Sequence, residues 1–194
     1  MGDYLIVSRL TRENSDRTLS AELAAEARRH GGQVSDLNTA AWIAVTGPCP
    51  PPVRTVGAWT LVGDVFNRHH PTLPTDAPDA WDYERRLFAR FWGRYVGIQF
   101  GRGDQPCALM RDPSGARECI AWRQDGLLFM TSSAEDWLIR RLRPDWRINR
   151  SQLAAALQDP LASAGPLLLD GPTAVLPGAI QPIPLETPPT LIWR

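Results

Sequence analysis

Lysine is absent from this 194-residue sequence: all 21 basic side chains are arginine, matched by 21 acidic ones for a formal net charge of zero. A chain with no excess positive charge has no general attraction to a phosphate backbone or to anionic lipid, so neither nucleic acid nor a membrane is expected as a partner. No run approaches the roughly 20 apolar residues that cross a bilayer. The opening MGDYLIVSRL also lacks the basic-then-apolar layout of a secretion signal. The expected location is cytoplasmic. Cysteine is scarce: Cys49, Cys107 and Cys119 are an odd set without metal-ligand spacing, which disfavours a disulfide framework or zinc site and fits a reducing compartment. Histidine is as scarce. His30 stands alone, and the adjacent pair His69-His70 reads as solvated loop, since neighbours in extended chain point to opposite sides. No metal site is expected.

What is present is a chain that is 43% hydrophobic, enough for one domain with its own core. Its most organised stretch is 91–137. Four apolar runs, 95–100, 107–110, 119–122 and 127–130, are separated by Gly101-Arg102-Gly103-Asp104, Asp112-Pro113-Ser114-Gly115 and Gln124-Asp125-Gly126. Gly and Asp tolerate positive φ and Pro presets a first turn residue, so the pattern predicts a β-meander. Elsewhere, strands are expected at 4–7, 38–45 and 56–66, and helices at 20–30, 81–91, 134–142 and 152–157. Ser132 or Ser133 is the expected cap of the third helix. The stretches 47–52 and 67–79 read as loops, and the proline-rich 182–194 as a linker or extended edge segment.

The segment RDPSGARECIAWRQDGLLFMTSS, 111–133, resembles the glutaminase (class II glutamine amidotransferase) domain of asparagine synthetase. There an Arg-Asp-x-x-Gly turn precedes two strands and a Ser-Ser helix entry. Upstream, Leu61-Val62-Gly63-Asp64-Val65-Phe66-Asn67 stands where that family has Asn-Gly-Glu-Ile-Tyr-Asn, and downstream Leu176-Pro177-Gly178 resembles its Pro-Gly turn before the linker. Trp92-Gly93-Arg94-Tyr95-Val96 looks closer to the lasso peptide cyclases (macrolactam synthetases) of the same family. The resemblance implies an α/β fold, a four-layer αββα sandwich of the N-terminal-nucleophile hydrolase type with antiparallel sheets. It implies a glutaminase-like domain over 1–181 and a tail, 182–194, leading toward a synthetase domain. ATP and magnesium belong to that separate domain, and no cofactor is expected in this chain. The implied partners are a synthetase domain or subunit and a precursor peptide. Self-association is a further expectation, through an apolar end that includes Leu185, Leu191, Ile192 and Trp193.

The same resemblance implies a site that has lost its chemistry. The family's nucleophile is an N-terminal cysteine whose own α-amine is the base; here the chain reads Met1-Gly2-Asp3, and Cys49 lies in a proline loop. Val62 stands where an Asn stabilises the oxyanion, leaving the Gly63 amide as donor, and Asp64 takes the place of the Glu. Trp92-Gly93 replaces an Asp-Gly pair that meets the glutamine ammonium, and a tryptophan offers no charge for it. The degenerate glutamine site is therefore Val62, Gly63, Asp64, Trp92 and Gly93, with Arg54 the nearest candidate for holding a substrate carboxylate. Arg111, Asp112 and Gly115 are read as a structural turn in which Asp112 accepts from turn amides. The eight tryptophans are read as core ahead of a peptide-binding face, and Arg140-Arg141-Leu142-Arg143 as a solvated helix end. A catalytically silent domain, with no glutaminase activity, is the leading expectation. The alternatives are an amidohydrolase with an unconventional nucleophile, for which Cys49 is the thiol to test, and a stand-alone protein-interaction module.

Overall fold

Strict alternation of inward and outward side chains builds this molecule, and β1 (Tyr4–Arg9) shows it most simply. Tyr4 and Ile6 face one core, Leu5 and Val7 another, so a slip of one residue would exchange the two sets. The computed structural model describes residues 2–11, 13–67, 80–159 and 167–192, and the backbone alone at 80–83. After β1 come α1 (Asn14–Arg29), β2 (Gln33–Asp36), β3 (Ala41–Val45), β4 (Val53–Val56), β5 (Trp59–Asn67), α2 (Ala80–Arg90), β6 (Phe91–Phe100) and β7 (Pro106–Arg111). The chain continues through β8 (Ile120–Gln124), β9 (Leu127–Thr131), α3 (Asp136–Leu142), β10 (Arg147–Ile148) and α4 (Arg150–Gln158). It ends with β11 (Leu169–Asp170), β12 (Thr173–Ala174), β13 (Ala179–Pro182) and β14 (Thr190–Leu191).

The strands form two six-stranded antiparallel sheets, ordered β12-β8-β9-β1-β3-β2 and β14-β13-β7-β6-β5-β4, with β10 and β11 a separate pair. The sheets pack face to face: Tyr4, Ile6, Ile43, Leu128 and Met130 of the first meet Val62, Val96, Ile98 and Leu109 of the second. On the first sheet's outer face, Leu5, Val7, Trp42 and Phe129 pack on Leu23 and Ala27 of α1 and Leu138 of α3. On the second sheet's outer face, Trp59, Leu61, Tyr95 and Met110 pack on Leu87 and Phe88 of α2. The layers run helices, sheet, sheet, helix. At one end the sandwich is clamped by Asp104, whose Oδ2 accepts from the Thr39 amide at 3.1 Å and hydroxyl at 2.5 Å. Those bonds hold the Asp104 acid below its ordinary value, so its contribution is complete above the usual carboxylate range and is lost as pH falls.

Several expectations are corrected. The four runs of 95–130 are not one meander: β6 and β7 pair in the second sheet, β8 and β9 in the first. The Asp-Pro-Ser-Gly turn is thus part of the crossing between sheets. Turn residues specify a reversal, and which sheet receives the next strand depends on long-range packing. The first helix starts at Asn14, well before position 20. Its polar first turn is held by the buried Asp16, which accepts from the Thr11 hydroxyl. The predicted strand 38–45 begins only at Ala41, because the Asn38 side chain accepts the Ala40 amide at 2.8 Å in a turn. Before that turn lies the exposed polar strand β2, which alternation could not reveal. The stretch 56–66 divides into β4 and β5 about Gly57, φ 58°. Ser132 caps no helix: its Oγ accepts the Tyr4 amide at 3.1 Å and donates to Asp3 at 2.8 Å, while α3 starts without a side-chain cap. Arg141 is tied to α1 through Glu22 at 2.6 Å and Glu26 at 3.7 Å.

Trp42, Trp59 and Trp122 are core residues, whereas Trp92 is 53% exposed. Asn149 caps α4, its side chain accepting the Gln152 amide at 2.9 Å. His69, His70 and nearly all of the expected loop 67–79 lie outside the described residues, as do Trp193 and the side chain of Trp81. No helix among the described residues is long and apolar enough to cross a membrane.

The proline-rich end is an edge of the second sheet as far as Ile192. β14 pairs with β13, the Ile192 amide donates to Gly178 at 2.9 Å, and Ile183 and Leu185 pack on the inter-sheet core. Gln181, 2% exposed, organises the return: its Nε2 donates to the carbonyls of Pro182, Leu185 and Thr187 at 3.2, 3.1 and 2.7 Å. Gln181→Ala should lower stability by about 1–3 kcal/mol, since it removes the donor of three half-buried carbonyls. Urea denaturation will measure this, and limited proteolysis should show new cuts within 182–192.

Candidate functional site

The residues assigned to the degenerate glutamine site fall on the adjacent strands β5 and β6. Their register pairs Val62 with Val96, Gly63 with Tyr95, Asp64 with Arg94, Val65 with Gly93 and Phe66 with Trp92. Val62 is fully buried in the inter-sheet core. The Gly63 amide, the expected remaining oxyanion donor, is already used: it donates to the Pro52 carbonyl at 2.8 Å where β4 approaches β5. Asp64 is ion-paired with Arg94 at 2.7 Å. Trp92 does not fill the core. Its ring lies against Phe66, centroids 4.9 Å apart and tilted by 34°, with both side chains about half exposed.

Both glycines are required by the backbone. Gly63 has φ 124° and Gly93 φ 152°; a Cβ at Gly63 would lie 2.1 Å from the Arg94 carbonyl oxygen, and one at Gly93 2.0 Å from that of Asp64. No other residue fits such approaches.

The head of β1 reaches the same rim. Arg117, 5% exposed, donates through Nη1 to the Gly2 carbonyl at 3.0 Å and through Nε to the Arg94 carbonyl at 3.5 Å. A Cβ on Gly63 would come within 3.1 Å of that Nε. The Gly2 amide donates to the Cys49 carbonyl at 3.0 Å, so the fold brings the proline loop back to the head of β1, with the Cys49 thiol exposed. A side chain at position 2 would collide, its Cβ 2.2 Å from the Thr46 oxygen. Arg54 is elsewhere: it lies opposite Leu61, on the face of the sheet that turns away from Val62. It does not join this rim.

Arg111, Asp112 and Gly115 form the start of the crossing. Asp112 Oδ1 accepts the Ser114 amide at 2.9 Å and the Ser114 hydroxyl, and Oδ2 accepts the Tyr95 amide at 3.2 Å. The Asp112 and Gly115 backbones close the turn at 3.1 Å. Arg111 donates to the carbonyls of Arg117 at 2.8 Å, Val175 at 3.3 Å and Gly115 at 2.6 Å, and pairs with Glu118 at 2.9 Å. Burial outweighs these bonds and the Arg111 charge, pushing the Asp112 acid above its ordinary value. Its titration therefore stabilises the fold below the usual carboxylate range, and that part is lost as pH rises through the raised value.

Sequence reasoning missed Pro52, Arg94 and Arg117. A cross-strand ion pair needs the register, and Arg117 lies in a segment with no periodicity. A run of glycine and charge at 93–94 was the one available signal. Among the described residues no group of three or more His, Cys, Asp or Glu side chains could hold a metal ion.

Asp112→Ala strips an acceptor from two amides and a hydroxyl in a site where water does not replace it. A loss of about 1–3 kcal/mol is expected, read as a lower urea midpoint. Ser114→Ala, which keeps the amide bonds, should cost less.

Set against known proteins, the chain matches no family model and no curated sequence.

Proposed function

We propose that this chain is a catalytically silent glutaminase-like domain of an asparagine-synthetase-like, ATP-dependent amide-forming enzyme, of the lasso peptide macrolactam synthetase type. The two-sheet sandwich is then a member of the N-terminal-nucleophile hydrolase folds. One observation carries the reading: the Gly63 amide is donated to Pro52 at 2.8 Å, beside a buried Val62. An oxyanion hole works by donors aimed at the developing charge, and here neither position has one free. The Asp64 carboxylate is ion-paired with Arg94, which competes with a ligand ammonium for it. The domain's role is that of a scaffold. Adenylation and amide formation, with ATP and magnesium, would occur on a synthetase domain or subunit, and the precursor peptide would be bound between the two. Exposed Ile148, Leu157, Leu168 and Leu169 offer apolar surface for such a partner.

A second reading is favoured by one observation. The Cys49 loop is hydrogen-bonded to Gly2 at the head of β1, which brings an exposed thiol to the same end of the sandwich as Gly63. That would suit an amidohydrolase with an unconventional nucleophile.

Calorimetry with millimolar glutamine should give no saturable heat beyond that of glutamate, and a coupled assay should detect no ammonia. Saturable glutamine binding would overturn the silent-domain reading. Ammonia release that disappears in Cys49→Ala would establish the second.

A further inference from the structure

Helix α2 lays one face on the second sheet, with Leu87, Phe88 and then Phe91 buried. Glu84 stands three and four residues before the first two, which places it on that same face, and it is only 6% exposed. Its carboxyl accepts from the Trp59 indole, Nε1 to Oε1 at 3.3 Å, and from its own backbone amide. No guanidinium among the described residues pairs with it. A buried carboxylate with only neutral donors is a costly arrangement, whereas a buried carboxylic acid is a modest one.

Among the described residues, the ionisable groups around it do not supply the missing charge. The Tyr95 phenol of β6 belongs to the cluster beneath α2, and its buried hydroxyl finds no partner among the described residues. From β7 comes the Cys107 thiol, and a negative Glu84 makes that thiol still harder to ionise. On β4, Arg54 shares the sheet face but is exposed and forms no ion pair among the described residues. Arg85 and Arg86 of α2 itself are exposed.

We propose that Glu84 is a proton-controlled clip: as an acid it fixes α2 to the outer face of the second sheet, and on ionising it loosens that helix. Burial raises the Glu84 acid above its ordinary value, against the weaker pull of the Trp59 bond and of its own backbone amide. The sign follows from linkage. The docked helix holds the proton more tightly than an undocked one, so the clip is complete below the ordinary carboxylate range and is lost as pH rises through the raised value. Undocking would uncover Trp59, Leu61, Tyr95 and Met110, the apolar floor beneath α2. The device is independent of whether the domain is silent, since no group of the rim at Gly63 takes part.

Amide hydrogen exchange at Leu87 and Phe88, corrected for intrinsic rates, tests it on the full chain. In the parent protein, opening should increase with pH by up to about tenfold per unit across the window between the ordinary and the raised value. In Glu84→Gln, which keeps the volume and the acceptor for Trp59, opening should be flat with pH. Equal pH dependence in both proteins, or none in the parent, would overturn the proposal. Should the variant not fold, carbon-13 titration of the Glu84 carboxyl in the parent decides: a midpoint above those of the exposed glutamates supports the clip, and one at or below them refutes it.

Discussion

Two buried guanidinium groups make the crossing between the sheets affordable in hydrogen bonds. When the chain leaves β7 for β8 it abandons ladder pairing, so the carbonyls of Gly115 and Arg117 need other donors, as does that of Val175 just past β12. Arg111 supplies all three. Arg117 then does the same for Gly2 and Arg94, joining the head of β1 to β6. The planar five-donor fork of arginine can serve carbonyls in divergent directions at fixed angles, which the compact ammonium of lysine does less well. Near-complete burial of charge is tolerated here because carbonyl dipoles and one carboxylate, Glu118, surround it. The rim at Gly63 is joined to this crossing through Arg117, whose Nε lies beside Gly63 and donates to the Arg94 carbonyl.

The strands were legible where alternation was strong. Residues 4–7, 107–110 and 127–130 each carry enough buried apolar side chains to declare a strand, and their boundaries hold to within a residue or two. β2 was invisible because an edge strand with the sequence Gln33-Val34-Ser35-Asp36 buries almost nothing. The meander was misread for a different reason. Turn chemistry is local, but the sheet that receives β8 is decided by Cys119, Ala121 and Met130 packing against the other layer, over contacts no local pattern encodes. The Ser132 misreading is of the same kind: a hydroxyl beside a helix start is a good cap in isolation, and here the nearer donor was the Tyr4 amide from the far end of the chain.

The candidate site was legible as a set and illegible as a state. Resemblance grouped Val62, Gly63 and Asp64 with Trp92 and Gly93, and the register sets them side by side. That Asp64 is neutralised by Arg94, and that Trp92 leans on Phe66 instead of filling the interior, depends on which residues face each other across two strands. Those pairings emerge only once β5 and β6 are aligned, since neither strand alone names its partner.

The two glycines bear on how such a rim should be read. Glycine beside a binding site commonly lets a ligand approach the backbone, and on that view Gly63 and Gly93 would mark a remnant pocket. Here each glycine admits a neighbouring strand. The space that a Cβ would take at Gly63 is occupied by the Arg94 carbonyl, and the space at Gly93 by the Asp64 carbonyl. The pairing of β5 with β6 at this point therefore demands glycine at both positions with no ligand involved. The Gly63 amide is satisfied from the other side by Pro52, whose own missing N–H costs the sheet nothing at an edge. The glycines at this rim are thus explained by strand packing, and the weight of any claim for chemistry falls on side chains that could act, of which Cys49 is the exposed thiol near the head of β1.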